Sequence, residues 1–260
     1  MCTNRGTAGA VILALFVVSG CDRVAQDPLS PAGAEQEEPQ PLNPLLVDSF
    51  DLIQAQRTGA ARVRLRRHLD TSPGDGQAAF LFGLSYHRER RYAQAEPWFE
   101  DAIRMSPTYD PPYHFHGWGL YYRGEPARAR ERFEKHRDMR PAYADTHYAL
   151  ALIAIEEQDL VTAWESLTRA HALAQGVRGE EKQLSKILVQ QATILEWQGE
   201  TDHAHAALEQ AVALYPDHYE AWNRLARICR IRGDVQGAKE AERFFLAARQ
   251  RVRPVERFPE

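Results

Sequence analysis

Residues 76–109 read GQAAFLFGLSYHRERRYAQAEPWFEDAIRMSPTY, and residues 110–143 read DPPYHFHGWGLYYRGEPARARERFEKHRDMRPAY. Laid over one another, these two 34-residue stretches share glycine at place eight (Gly83, Gly117), alanine at place twenty (Ala95, Ala129), phenylalanine at place twenty-four (Phe99, Phe133) and proline at place thirty-two (Pro107, Pro141). The register extends outward to units beginning at Leu42, Gly76, Asp110, Ala144, Ser185 and Tyr219. Place eight is small in all of them: Ser49, Gly83, Gly117, Ala151, Ala192 and Ala226. Place twenty is alanine throughout, at Ala61, Ala95, Ala129, Ala163, Ala204 and Ala238. Place twenty-four holds Leu65, Phe99, Phe133, Leu167 and Leu208 before Glu242 ends the series, and Pro73 and Pro216 join the proline column. A fixed period of this length marks stacked supersecondary units.

The pattern resembles the tetratricopeptide repeat family, and the resemblance covers residues 42–250. It implies an all-α, right-handed superhelical solenoid of about six helical hairpins. The physics agrees with that implication. Small residues at places eight and twenty let helix A and helix B of a hairpin approach, large residues fill the space around them, and proline ends helix B because it cannot continue the hydrogen-bonded ladder. One hairpin cannot bury both faces, so the units stack into a continuous thin core. Departures are informative. The spacing between units four and five is seven residues longer, within Gln175 to Leu184, where Gly176 and Gly179 predict a turn and the next helix is expected to begin near Glu180. His68, His136 and Phe245 at place twenty-seven, normally small, are expected to widen the helix spacing. Glu242 makes the sixth unit a soluble cap, followed by a tail at residues 251–260.

The chain has 260 residues, of which 44% are hydrophobic, 26% are charged and three are cysteine, which places it among globular proteins rather than disordered or disulfide-stapled ones. A net charge of -4 lacks the positive surplus that phosphate-backbone binding draws on, so nucleic acid is excluded as a partner. The one long apolar run, Ala8 to Val18, follows Arg5 and falls short of the roughly 20 residues that span a bilayer. It reads as an export signal over residues 1–20. Val18-Ser19-Gly20-Cys21 resembles the bacterial lipoprotein cleavage box, and that resemblance implies that Cys21 is acylated and becomes the new N-terminus. An uncleaved signal anchor with an incidental cysteine is the competing reading, and the shortness of the run weighs against it. Residues 21–41 follow, with four prolines and few large apolar side chains; they read as a disordered tether spanning roughly 25 to 60 Å. The expected location is the bacterial cell envelope, exported and lipid-anchored, with inner and outer membrane both open. Cys229 is then the sole free thiol.

No zinc-peptidase helix, nucleophile elbow, phosphate-cradling loop or dinucleotide fingerprint occurs. His114 and His116 are two apart, as are His203 and His205, which places each pair on different sides of a helix rather than at a shared metal. The expectation is a protein without catalytic residues, metal or cofactor. Function is sought instead on helix A at places two, five, nine, twelve and thirteen, the stripe that lines the concave groove in the family this chain resembles. In units one to four it is mainly aromatic and apolar, with Phe80, His87, His114, Trp118, Tyr121, Tyr122 and Tyr148; in units five and six it turns polar, with Trp197, Asn223, Arg227 and Arg230. Leu46, Ile53, Leu84, Leu152 and Ile155 in the same stripe are expected to pack helix A against its neighbours. Tyrosine and tryptophan offer large rigid area with a polar handle, so these residues are the expected surface for a protein or extended peptide. His114 and Trp118 stand where chaperone-tail binders of the family carry lysine and asparagine, which argues against that ligand. The alternative is a carbohydrate-binding accessory of polysaccharide export, since aromatic faces also stack on sugar rings.

Overall fold

The computed structural model describes residues 43–252, so Cys21, the expected export signal, the expected tether and residues 253–260 lie outside the described residues. Among those described there are twelve helices and no strand. They pair as α1 Pro44–Gln54 with α2 Thr58–Thr71, α3 Gly76–Arg88 with α4 Tyr92–Met105, α5 Pro111–Tyr122 with α6 Pro126–Met139, α7 Ala144–Glu156 with α8 Leu160–Ala174, α9 Glu181–Trp197 with α10 Thr201–Leu214, and α11 Tyr219–Ile231 with α12 Val235–Val252. The two helices of each hairpin pack on one another, and helix B of each unit packs in turn on helix A of the next. Helix α9 starts at Glu181 after turns at Gly176 and Gly179, both with positive φ, so part of the added length lengthens helix A of unit five. Helix α12 runs to Val252, two residues into the expected tail.

The turn between helix A and helix B is the same in every unit. Place fifteen is left-handed six times, at Gln56, Arg90, Gly124, Gln158, Gly199 and Gly233. The next N–H reaches back to the carbonyl five residues earlier, from Arg57 to Leu52 at 2.8 Å through to Asp234 to Cys229 at 2.8 Å. This is the Schellman arrangement, which satisfies carbonyls left open at a helix end.

Packing explains the residue choice at places eight and twenty-four together. A Cβ on Gly83 would lie 2.8 Å from the ring of Phe99, and one on Gly117 would lie 2.8 Å from the ring of Phe133. Glycine therefore stands where the facing residue is phenylalanine. Where the facing residue is leucine, place eight is Ser49, Ala151 or Ala192, all fully buried. The sum of the two volumes is held while their division changes.

The histidines at place twenty-seven are held by polar contacts. His68 Nε2 meets Asp75 Oδ2 at 2.7 Å, and His136 Nδ1 meets Thr146 Oγ1 at 2.7 Å.

Candidate functional site

The groove stripe divides by place. At place five, Leu46, Phe80, His114, Tyr148 and Val189 are all buried, and only Asn223 of the last unit is exposed, because no unit follows to cover it. Place five is thus the contact between successive units. Phe80 packs its ring on Tyr109 and Phe115, each with centroids 5.6 Å away. At place nine Trp118 is only 9% exposed, and its Nε1 donates to Asp145 Oδ2 at 2.9 Å. The expectation that Phe80, His114, Trp118 and Tyr148 present their side chains to a partner is therefore corrected: units two to four use them to pack on one another. Leu46, Ile53 and Leu84 are buried, and Leu152 and Ile155 pack half-buried against the core.

Place thirteen behaves differently. Gln54, Arg88, Tyr122, Glu156, Trp197 and Ile231 are exposed in every unit and form a row along the ends of the A helices. Tyr122 and Trp197 are 56% and 58% exposed. Tyr122 stacks on Tyr92 with centroids 5.2 Å apart and on Trp118 at 5.5 Å, both near-parallel. Tyr92 opens helix B of unit two, outside the stripe read from the sequence. Stacking of the units brings place seventeen of one beside place thirteen of the next, and an aromatic pair at those two places is the signal that would have found it. Stacking on Tyr92 and Trp118 takes up part of the ring face of Tyr122, although the residue stays 56% exposed. A shallow trough for sugar rings needs free faces, so this ladder does not favour the carbohydrate alternative.

Half-buried Tyr121 donates its hydroxyl to Glu156, and burial followed by that contact pushes the phenol well above its usual range. His87 is half-buried between Tyr92 and Phe115, and its Nε2 has no hydrogen-bond partner. Burial, and then Arg88 and His114, pull it down to about 4. In the polar half Asn223, Arg227 and Arg230 are exposed, yet Arg227 is paired with Glu196 and Arg230 with Glu242. These cations are already answered from within the chain.

Two clusters resemble reactive sites on distance alone. Ser185 Oγ lies 2.7 Å from His218 Nδ1, but the serine is fully buried and its hydroxyl donates to the Ala211 carbonyl at 2.8 Å. It fixes α9 against α10 and α11 rather than facing a substrate. Glu96, Glu100 and His116 bring ligand atoms within 4.8 Å of one another. The guanidinium of Arg128 already lies 2.6 Å from Glu96 and 3.8 Å from Glu100, and Arg123 also pairs with Glu96, so the positive charge is supplied by side chains. Burial pushes the Cys229 thiol up, which suits a packed side chain and not a nucleophile.

Tetratricopeptide repeat family models match residues 51–110, 116–176 and 185–228, together more than half of the chain. The chain belongs to the tetratricopeptide repeat family. No curated protein matches it in sequence. Among solved structures, the APC/C hetero-tetramer Cut9-Hcn1 superposes with a TM-score of 0.68 at 19% identity over 78% of this chain; the chain spans only 39% of the length of that one. PilF of Pseudomonas aeruginosa gives 0.68 at 15% identity over 81% of this chain and 91% of its own. PilW, described as a widely conserved type IV pilus biogenesis factor, gives 0.67 at 17% identity over 82% and 94%. At these identities the likeness is one of fold: a right-handed tetratricopeptide solenoid, an architecture that serves as a scaffold for protein contacts.

Proposed function

We propose that this tetratricopeptide repeat protein is a lipid-anchored scaffold of the bacterial cell envelope that binds an extended peptide or protein surface along the place-thirteen row, in the assembly or regulation of an envelope complex. The observation that carries the binding site is the repeated exposure of that row, in which Tyr122, Trp197 and Ile231 hold large apolar side chains in water, whereas the side chains at places five and nine of units two, three and five are packed away. Apolar groups of that size left exposed at one register position are available to a partner at little cost in refolding. Tyr92 and Tyr121 extend the patch, and Arg88 and Asn223 supply donors at its ends.

The anchoring half of the reading stands on Val18-Ser19-Gly20-Cys21, and the assembly role draws on the likeness in fold to PilW, described as a type IV pilus biogenesis factor. No described helix is long and apolar enough to cross a membrane. Cys21→Ser is expected to move the protein from the membrane pellet to the soluble fraction after a high-salt wash, since more than one acyl chain is what holds such a protein stably. Continued pelleting of the Ser variant would count against the lipid anchor.

A further inference from the structure

The joint between units three and four contains an unbroken chain of polar side chains: Asp145 Oδ2 to His114 Nε2 at 3.1 Å, His114 Nδ1 to Thr146 Oγ1 at 3.4 Å, Thr146 Oγ1 to His136 Nδ1 at 2.7 Å, and His136 Nε2 to Asp110 Oδ2 at 3.4 Å. His114, Thr146 and His136 are buried, and the two imidazole centroids are 5.0 Å apart. The carboxylates fix the tautomers. Each histidine must donate from Nε2 to its aspartate, so both Nδ1 atoms turn an acceptor lone pair towards the same hydroxyl.

Counting hydrogens gives a definite result. Two neutral histidines and one threonine bring three hydrogens to four gaps. The hydroxyl serves one Nδ1 and leaves the other facing an oxygen lone pair, in keeping with one short and one long contact at Thr146. One added proton fills the empty gap: the imidazolium donates from Nδ1 to Thr146 Oγ1 while the hydroxyl donates to the other histidine. A second added proton puts two cationic rings 5.0 Å apart and deprives the hydroxyl of its acceptor in the chain.

We propose that this Asp–His–Thr–His–Asp chain is a one-proton latch, which takes up a single proton on acidification and thereby locks α5, α6 and α7 together beneath the Trp118–Tyr122 ladder. The link to the ladder is direct, because Trp118 Nε1 donates to the same Asp145 oxygen that faces His114, and Gln183 of α9 donates to the other at 2.9 Å. The surrounding charges are near balance. Arg140 lies 3.4 Å from Asp110, Lys186 of α9 acts on Asp145, Glu180 acts on neighbouring Tyr143, and His87 of α3 faces His114. Burial pushes His136 down and Asp110 opposes it, while the partners of Asp145, led by His114, outweigh burial and hold that carboxyl below its usual range.

The latch is tested by side-chain nitrogen and indole N–H resonances of the full chain titrated from pH 8 to pH 5. The expected result is one joint step for His114 and His136, uptake of one proton, and movement of the Trp118 indole N–H with the same midpoint. Thr146→Ser should preserve the step, and Thr146→Val should lower its midpoint by about one pH unit, since the added proton loses its bridging acceptor. Independent titration of the two imidazoles with a stationary Trp118 signal overturns the proposal, as does a Val variant that titrates like the wild type. Neither readout involves a binding partner, so the outcome is separate from that of the groove reading.

Discussion

Units two and three fill their hairpins with phenylalanine against glycine, and units four and five fill the same space with leucine against alanine. The front pair carries its aromatic surplus inward. Phe80, His114 and Trp118 are consumed in contacts between units, and buried histidines accompany them; His116, 1% exposed, has neither ring nitrogen hydrogen-bonded. The back pair has an aliphatic core and leaves Trp197 standing alone in solvent. An aromatic stripe on helix A therefore over-reports the surface a partner can reach, because large side chains at places five and nine are drawn into the joints. Exposure at place thirteen, which is common to both halves, marks the accessible row.

The largest difference between the halves should appear in acid. Burial, then Arg132, pull His116 down to about 4, with Glu96 opposing, and His87 is held as low. A histidine whose folded value lies below its unfolded one is protonated first in the unfolded chain. Its stabilising contribution is present above about pH 6.5 and is lost as pH falls from there towards 4, by roughly 2 to 3 kcal/mol for a buried group. Amide exchange at pH 4.5 against pH 7.5 should thus show α3 and α4, which hold or pack on His87 and His116 and lie outside the proton chain that joins α5, α6 and α7, losing protection well before α9 to α12, and His116→Phe should reduce the gap. Equal loss across all units would break the contrast.

Next in size is the volume exchange. Gly117→Ala should cost about 1 to 3 kcal/mol by forcing a methyl into the Phe133 ring. Combining it with Phe133→Leu should cost less than the two singles added, by about 1 kcal/mol or more, since the pair then copies Ala151 with Leu167. Denaturant midpoints measure this cycle, and strict additivity would show that the two places do not share one space.

The smallest effect concerns the turn, where the halves should agree. Gln158 and Arg90 both hold a left-handed φ near +60° that costs a side chain more than it costs glycine. Replacing either with glycine should raise stability by roughly 0.5 to 1 kcal/mol, read from the same denaturation curves. A loss in one half only would mean that its side chain does more than occupy the turn.

Much of this was legible in the sequence. The period, the small places eight and twenty and the large place twenty-four locate the hairpins, and each depends on contacts inside one unit. The early start of α9 was readable from Gly176 and Gly179. Place fifteen escaped because three of its six residues are Gln56, Arg90 and Gln158, whose side chains do not announce a left-handed backbone. The burial of Phe80, His114, Trp118 and Tyr148 escaped for another reason: it depends on how one unit sits on the next, which a period within the chain does not encode. Tyr92 was missed on the same ground, since it joins the groove only through the following unit.

The central claim is that a partner meets the place-thirteen row, and site-specific photo-cross-linking in cells tests it most directly. A photoreactive residue replacing Tyr122 or Trp197 should yield a discrete adduct with an envelope protein. The same residue at Val161 of α8, 70% exposed but on helix B, should yield none. Adducts from position 161 together with none from 122 and 197 would contradict the account and place the partner on the opposite helices.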